Sequence, residues 1–178
     1  MTRFLVVVAV LAAVIAGVSA VVTTKPDWYL RARYPLKYEP IIQGHARNYH
    51  LEPALIAAVI YRESKFDAHA GSKAGAIGLM QLTPSTAKGI ALRTGGTRFE
   101  VSDLYKPELN VRYGSWYLRH LLDIYDGNVR KALAAYNGGR GNVERGVMYP
   151  ETKEYVNRVL AARDAYRRAY PELRRSDT

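Results

Sequence analysis

The chain has no cysteine among its 178 residues, which excludes a disulfide framework, a thiolate metal site and a lipoprotein-type acylation point. Acidic residues are few: Asp+Glu 16 against Lys+Arg 26, a formal net charge of +10. Such a surface suits polyanionic surroundings: nucleic acid, anionic lipid headgroups or an acidic cell-wall polymer. Histidines are scattered, at His45, His50, His69 and His120. They form no cluster, and each reads as a solvated or capped residue. No segment alternates apolar and polar residues in the manner of a strand, and no internal repeat is visible. What remains is a helical chain long enough for one domain with a proper core.

The N-terminal stretch decides among the partners. From Phe4 to Val22, "FLVVVAVLAAVIAGVSAVV" carries no charge and is about long enough to cross a bilayer as a helix. Its length exceeds the usual core of a cleaved signal and favours an uncleaved anchor, while Val18-Ser19-Ala20 offers a small-residue cleavage site. Either reading of residues 1–25 (signal anchor or signal peptide) exports the rest to the cell envelope, which makes nucleic acid a poor partner. Residues 26–37 read as a juxtamembrane linker broken by Pro26 and Pro35, with aromatic and basic residues able to lie on headgroups. Residues 38–170 are the folded domain, and 171–178, "PELRRSDT", a frayed polar tail.

Within the domain the expected class is all-α. "IIQGHARNYH" has helical spacing with Ile41, Ile42, His45 and Tyr49 near one side. Glu52-Pro53 opens a second helix, since proline is tolerated in a first turn. A third begins around Thr83–Pro84, and a long amphipathic one carries Val111, Tyr117 or Leu118, Leu121 and Tyr125 on a shared face. Asn128 can cap the helix "VRKALAAYN", which stops at Gly138-Gly139. "ETKEYVNRVLAARDAYRRAY" is the last.

One residue breaks the pattern. Glu63 follows Ile56, Val59 and Ile60 at helical spacings of seven, four and three, so its carboxylate falls on the apolar side of its helix. Desolvation there raises the pKa toward what a general acid needs near neutral pH. A helix-end glutamate satisfied by Arg62, Lys65 or a loop N–H fits the periodicity equally well. Gly71, Gly75 and Gly78 then supply a segment of little bulk, costly in backbone entropy unless close approach is required. Gln81 adds an amide for hydrogen bonding. Asp67 falls past the helix end, and Asp103, Asp123 and Asp126 sit in polar turns. A lone acid favours chemistry in which the substrate supplies the nucleophile.

With "RES" at 62–64, "GLMQLTPSTA" at 78–87, "ALAAYNGG" at 132–139 and "ETKEYV" at 151–156, residues 38–166 resemble the SLT-type lytic transglycosylases. That resemblance implies a goose-lysozyme-like, nearly all-helical fold of the lysozyme superfamily and cleavage of peptidoglycan glycan strands. It makes Glu63 the single acid/base and Ser72 an orienting hydroxyl. Gln81 and the backbone of Gly78, Leu79 and Met80 would line the glycan cleft. Tyr136 and Asn137 would stand near the reacting sugar, and Tyr155 would hydrogen-bond toward Glu63. No metal or other cofactor is implied, and protein partners are not. Two positions depart from the family pattern: Gly138-Gly139-Arg140-Gly141 stands where Ala-Gly-Pro is common after Tyr-Asn, so a looser, cationic loop is expected. Thr83 stands where many relatives have methionine.

The implied reaction breaks the β-1,4 bond between N-acetylmuramic acid and N-acetylglucosamine and leaves a 1,6-anhydro end. The alternatives are a lysozyme-like muramidase, which needs a second carboxylate such as Asp67 or Asp103, and a non-catalytic wall-binding module.

Overall fold

A computed structural model describes residues 2–174. Its helices are α1 (Thr2–Thr24), α2 (Asp27–Arg33), α3 (Glu39–Asn48), α4 (Pro53–Ser64), α5 (Pro84–Thr94), α6 (Pro107–Ile124), α7 (Val129–Gly138), α8 (Arg140–Glu144) and α9 (Pro150–Ala169). Short 3-10 turns cover Val101–Tyr105 and Pro171–Leu173. No strand is present among the described residues, only isolated antiparallel bridges pairing Ile77 with Gly71 and with Leu82.

Helix α4 is the centre of the fold. Every residue from Ala54 to Tyr61 is buried, so what looks in sequence like one apolar stripe is a helix enclosed nearly all round. Ala54, Ala57 and Ala58 keep its girth small, and α9 packs along it most extensively, with α3 against it as well. Helices α6 and α7 pack on each other, and α7 also meets α9. Their buried residues, among them Val111, Leu118, Leu133, Val156 and Val159, join those of α4 in the main core. A smaller core between α5 and α6 holds Leu82, Ile90, Leu104 and Tyr113.

The expected starts and stops are present. Thr83 caps α5 by accepting from the Thr86 N–H, Asn128 caps α7 by accepting from the Lys131 N–H, and Gly139 ends α7. Four readings need correction. Residues 26–37 are not an open linker: Pro26 stands at the N-cap of α2, where proline starts a helix rather than breaking it. Leu30 is then buried against Ala165 and Ala169 of α9. The Gly138–Gly141 stretch is not a loose loop, because α7 passes through Gly139 (φ 83°) directly into α8. His45 is 5% exposed, and its Nε2 meets Glu108 Oε1 at 2.8 Å, so it is neither solvated nor a cap. At the C-terminus, Pro171–Leu173 forms a turn whose Leu173 has no exposed surface; residues 175–178 of the expected tail lie outside the described residues.

The loop between α4 and α5 is held from the α6 side by one amide. Asn110, fully buried on α6, accepts from the Met80 N–H at 2.7 Å and donates through Nδ2 to the carbonyls of Ile77 (2.9 Å) and Leu104 (2.8 Å). Gly78 (φ 78°) lies so close to that amide and to the Leu104 carbonyl that a Cβ would collide with both. Since a buried polar group stripped of its partner costs about 1–3 kcal/mol, Asn110→Ala should lose on the order of 3 kcal/mol in urea denaturation. A loss under about 1 kcal/mol would show that the loop is held elsewhere.

Candidate active site

Glu63 occupies the last turn of α4, and the chain leaves that helix abruptly. Lys65 and Phe66 both adopt left-handed backbone (φ 55° and 64°), a conformation costing roughly 1–2 kcal/mol for residues with a Cβ. Burial of the Phe66 ring, 2% exposed, offsets it. This reversal brings the 78–81 segment back under the helix end. Ser64 fastens it there, its hydroxyl donating to the Leu79 carbonyl at 2.8 Å. Tyr136 of α7 fastens it from the other side, donating to the Met80 carbonyl at 2.8 Å.

The carboxylate itself is half-buried and accepts one hydrogen bond, from the Tyr155 hydroxyl of α9 at 2.5 Å. Its pKa is raised from 4.5 to about 7. Desolvation is the dominant cause, opposed by the Tyr155 bond and the nearby Arg62 guanidinium, both of which favour the ionised form. The Tyr155 and Tyr136 hydroxyls are both pushed well above the ordinary tyrosine value, first by burial and then by the Glu63 charge. They therefore stay protonated throughout the working pH range and serve as donors. No second carboxylate contributes to the Glu63 shift. Asp67 is exposed and accepts from the His69 N–H, while Asp103 is bound up with Glu100 and Lys106 at a 3-10 turn. Among the described residues, no three of His, Asp and Glu gather as metal ligands would.

A glutamate poised near neutrality, a tyrosine donating to it and no companion acid make a site for single-residue acid/base chemistry. The profile described as "Transglycosylase SLT domain" matches residues 40–159. The chain belongs to the SLT transglycosylase family. It is 36% identical over 125 residues to a transglycosylase of Enterobacteria phage PRD1, covering 70% of this chain and 42% of that protein. It is 35% identical over 118 residues to membrane-bound lytic murein transglycosylase C of Yersinia pestis (strain Pestoides F), covering 61% of this chain and 33% of the other. The crystal structure of an inactive glutamate-to-glutamine mutant of the lytic transglycosylase Slt from Pseudomonas aeruginosa superposes with a TM-score of 0.74 at 29% identity, over 84% of this chain and 27% of that one. The chain thus spans less than half the length of the relatives it matches.

The SLT motif residues do not all converge. Glu63, Tyr136 and Tyr155 lie together. Gln81, held at φ 49°, donates from Nε2 to the carbonyls of Ala70 (3.1 Å) and Gly78 (3.0 Å) and so braces the turn. Gly78 is buried, and Leu79 and Met80 have no accessible surface, so all three are packed beneath the end of α4. Asn137 is exposed at the end of α7. Ser72 is exposed too, and its hydroxyl accepts from the Ala76 N–H at 3.0 Å within its own loop rather than reaching the acid. Next to Tyr136 stands Tyr117, their ring centroids 5.4 Å apart. Tyr117 in turn borders a cavity of about 240 Å³ with Arg93, Trp116, His120 and Arg140 in its wall.

Sequence reasoning missed Asn110, Ser64 and Tyr117. The signal for the first two is the one that marks Glu63, a polar residue on a buried helix face: Asn110 precedes Val111 and lies at helical spacing from Gly114 and Leu118, all buried.

Two outcomes follow from the acid's environment. A carboxyl whose folded pKa exceeds its unfolded one keeps its proton in the folded state alone between pH 4.5 and about 7, so stability falls as pH rises through that window. Glu63→Gln removes this cost. In urea melts it should be no more stable than the parent at pH 4 and more stable by on the order of 3 kcal/mol at pH 8. Tyr155→Phe removes a bond to the ionised form, and should move the Glu63 titration upward from about 7 when followed by the carboxyl carbon NMR shift.

Proposed function

We propose that the protein is a peptidoglycan lytic transglycosylase that cleaves the β-1,4 bond between N-acetylmuramic acid and N-acetylglucosamine, with Glu63 as sole acid and base. The observation carrying this reading is the lone, half-buried carboxyl at the end of α4, held by the Tyr155 hydroxyl at 2.5 Å and pushed toward neutrality by desolvation. Two-carboxylate glycosidases need their second group within about 5–10 Å, as nucleophile or to activate water. Substrate-assisted glycosidases let a neighbouring group of the sugar replace it.

Protonated Glu63 gives its proton to the glycosidic oxygen as the bond to C1 of the muramoyl residue breaks. The 2-N-acetyl carbonyl of that residue shields the developing positive charge. Glu63, now a carboxylate and steadied by the Tyr155 hydroxyl, takes the proton from the C6 hydroxyl. O6 then bonds to C1, closing a 1,6-anhydro ring; the proton count balances and no water is consumed. Gln81, Tyr136 and Asn137 would contact the glycan, with Ser72 at the loop's outer edge. Gly78, Leu79 and Met80 serve as the floor that keeps the acid at its height.

The membrane is the second partner. Helix α1, 23 residues and unburied throughout, is long enough to span about 30 Å of hydrocarbon. A similar protein is named as membrane-bound. We place the domain in the cell envelope, tethered by residues 1–25.

Digestion of purified peptidoglycan followed by mass spectrometry tests the chemistry. Muropeptides lighter by one water than lysozyme products should form, and Glu63→Gln should slow their formation by about 10²- to 10⁴-fold, the usual worth of general acid–base catalysis. Reducing-end products would assign the site to a muramidase instead. The rate should decline as pH rises past about 7, where Glu63 loses its proton.

A further inference from the structure

The junction between α1 and the domain is built, and it encloses a cavity. Arg168 of α9 donates through Nη2 to the carbonyls of Thr24 (3.2 Å) and Lys25 (3.0 Å), capping the C-terminal end of α1 with a cation where the helix dipole favours one. Arg31 of α2 donates to the Ala169 carbonyl at 2.9 Å. Arg33 donates to the Tyr61 hydroxyl, which donates back to the Arg33 carbonyl at 2.9 Å. Between α2 and α9 these contacts leave a pocket of about 280 Å³, with Lys25, Arg33 and Arg168 in its wall and Leu30 and Ala165 among its apolar lining.

The charges in this pocket are unbalanced. Among the described residues, neither Lys25, Arg33 nor Arg168 forms an ion pair with a carboxylate; the partners of the two arginines are a tyrosine hydroxyl, the Tyr34 ring and backbone carbonyls. The one acid in the wall, Asp164, is engaged by Arg163 at 3.0 Å. Its chain position fixes the pocket's depth: Lys25 directly follows α1, so a bilayer holding α1 puts the pocket at headgroup level. Trp28, 64% exposed, and Tyr29 flank it on α2, aromatic residues of the type that settle at that interface.

We propose that this pocket binds the phosphate of an anionic phospholipid headgroup, with Lys25, Arg33 and Arg168 around the phosphate and Leu30 and Ala165 against the glycerol. The pocket's depth rests on α1 spanning a membrane, its selectivity on the cations around it, and neither on the glycan chemistry. Cations at a membrane surface are each worth about fivefold in affinity for anionic lipid.

The test uses the full chain purified in a neutral detergent, with dioleoyl phosphatidylglycerol and dioleoyl phosphatidylcholine offered in equal amounts and retention read by native mass spectrometry. One phosphatidylglycerol should be retained in preference. Lys25→Gln, at an exposed side chain with no hydrogen-bond or ion-pair partner among the described residues, should lower that retention about fivefold, Lys25→Arg should restore it, and Lys153→Gln, an exposed cation of α9 outside the pocket, should leave it unchanged. Equal retention of the two lipids, or equal loss in Lys25→Gln and Lys153→Gln, overturns the pocket. Displacement of the lipid by millimolar inorganic phosphate would assign it to free phosphate instead. Carbonate washing of membranes separately tests the span: a chain that washes off yet selects phosphatidylglycerol overturns the anchoring alone.

Discussion

A carboxyl group held away from water at the end of a buried helix sets the terms for everything around it. Ionised Glu63 is disfavoured because α4 carries it into a crowded interior, and only Tyr155 and Arg62 counter that crowding. As the proposed acid it must also stay open to a substrate on one side, and it is only half-buried. The fold meets both demands by ending α4 one residue later and reversing the chain through Lys65 and Phe66. The returning segment then forms a floor whose backbone groups are used up on Ser64, Asn110 and Tyr136. The Leu79 carbonyl and both backbone groups of Met80, tied up in this way, do not compete for the carboxyl proton.

The same arrangement is a local loss of stability. A glutamate that resists ionisation at neutral pH weakens the folded state relative to glutamine, and the surrounding core must exceed that loss. The enclosure of α4 by α9, α3 and the α6–α7 pair is suited to this, since nearly every side chain from Ala54 to Tyr61 is removed from solvent. Sites that perform acid chemistry near neutrality are expected to depart from the most stable sequence for their fold.

Much of this architecture is readable from residue order, and the exceptions have a common cause. Helix starts at Pro84 and Asn128 and the stop at Gly139 rest on local geometry, which neighbouring residues determine. The placement of Glu63 follows from its spacing to Ile56, Val59 and Ile60. Features that depend on a remote partner are silent in sequence. Leu30 looks like part of a linker until α9 supplies Ala165 and Ala169. Leu173 looks like a tail residue until a turn folds it into the core. His45 is polar on a buried face, and only Glu108, from the first turn of α6, accounts for it. Ser72 shows the reverse limit: the family motif implies a role in orienting the substrate or the acid, whereas in the structure its hydroxyl accepts from within its own loop.

The paired hydrogen bonds between Arg33 and Tyr61 join the end of α2 to α4 two residues before the acid, while Arg168 ties α9 to the end of α1. If α1 lies in a bilayer and Glu63 is the acid, as proposed, the path from one to the other is braced near both ends. An enzyme on a long flexible leash explores a volume; one braced in this manner explores a plane. With α1 in a bilayer, Glu63 would work at a single altitude, and glycan strands lying nearer or farther from the surface would be beyond its reach whatever their chemistry.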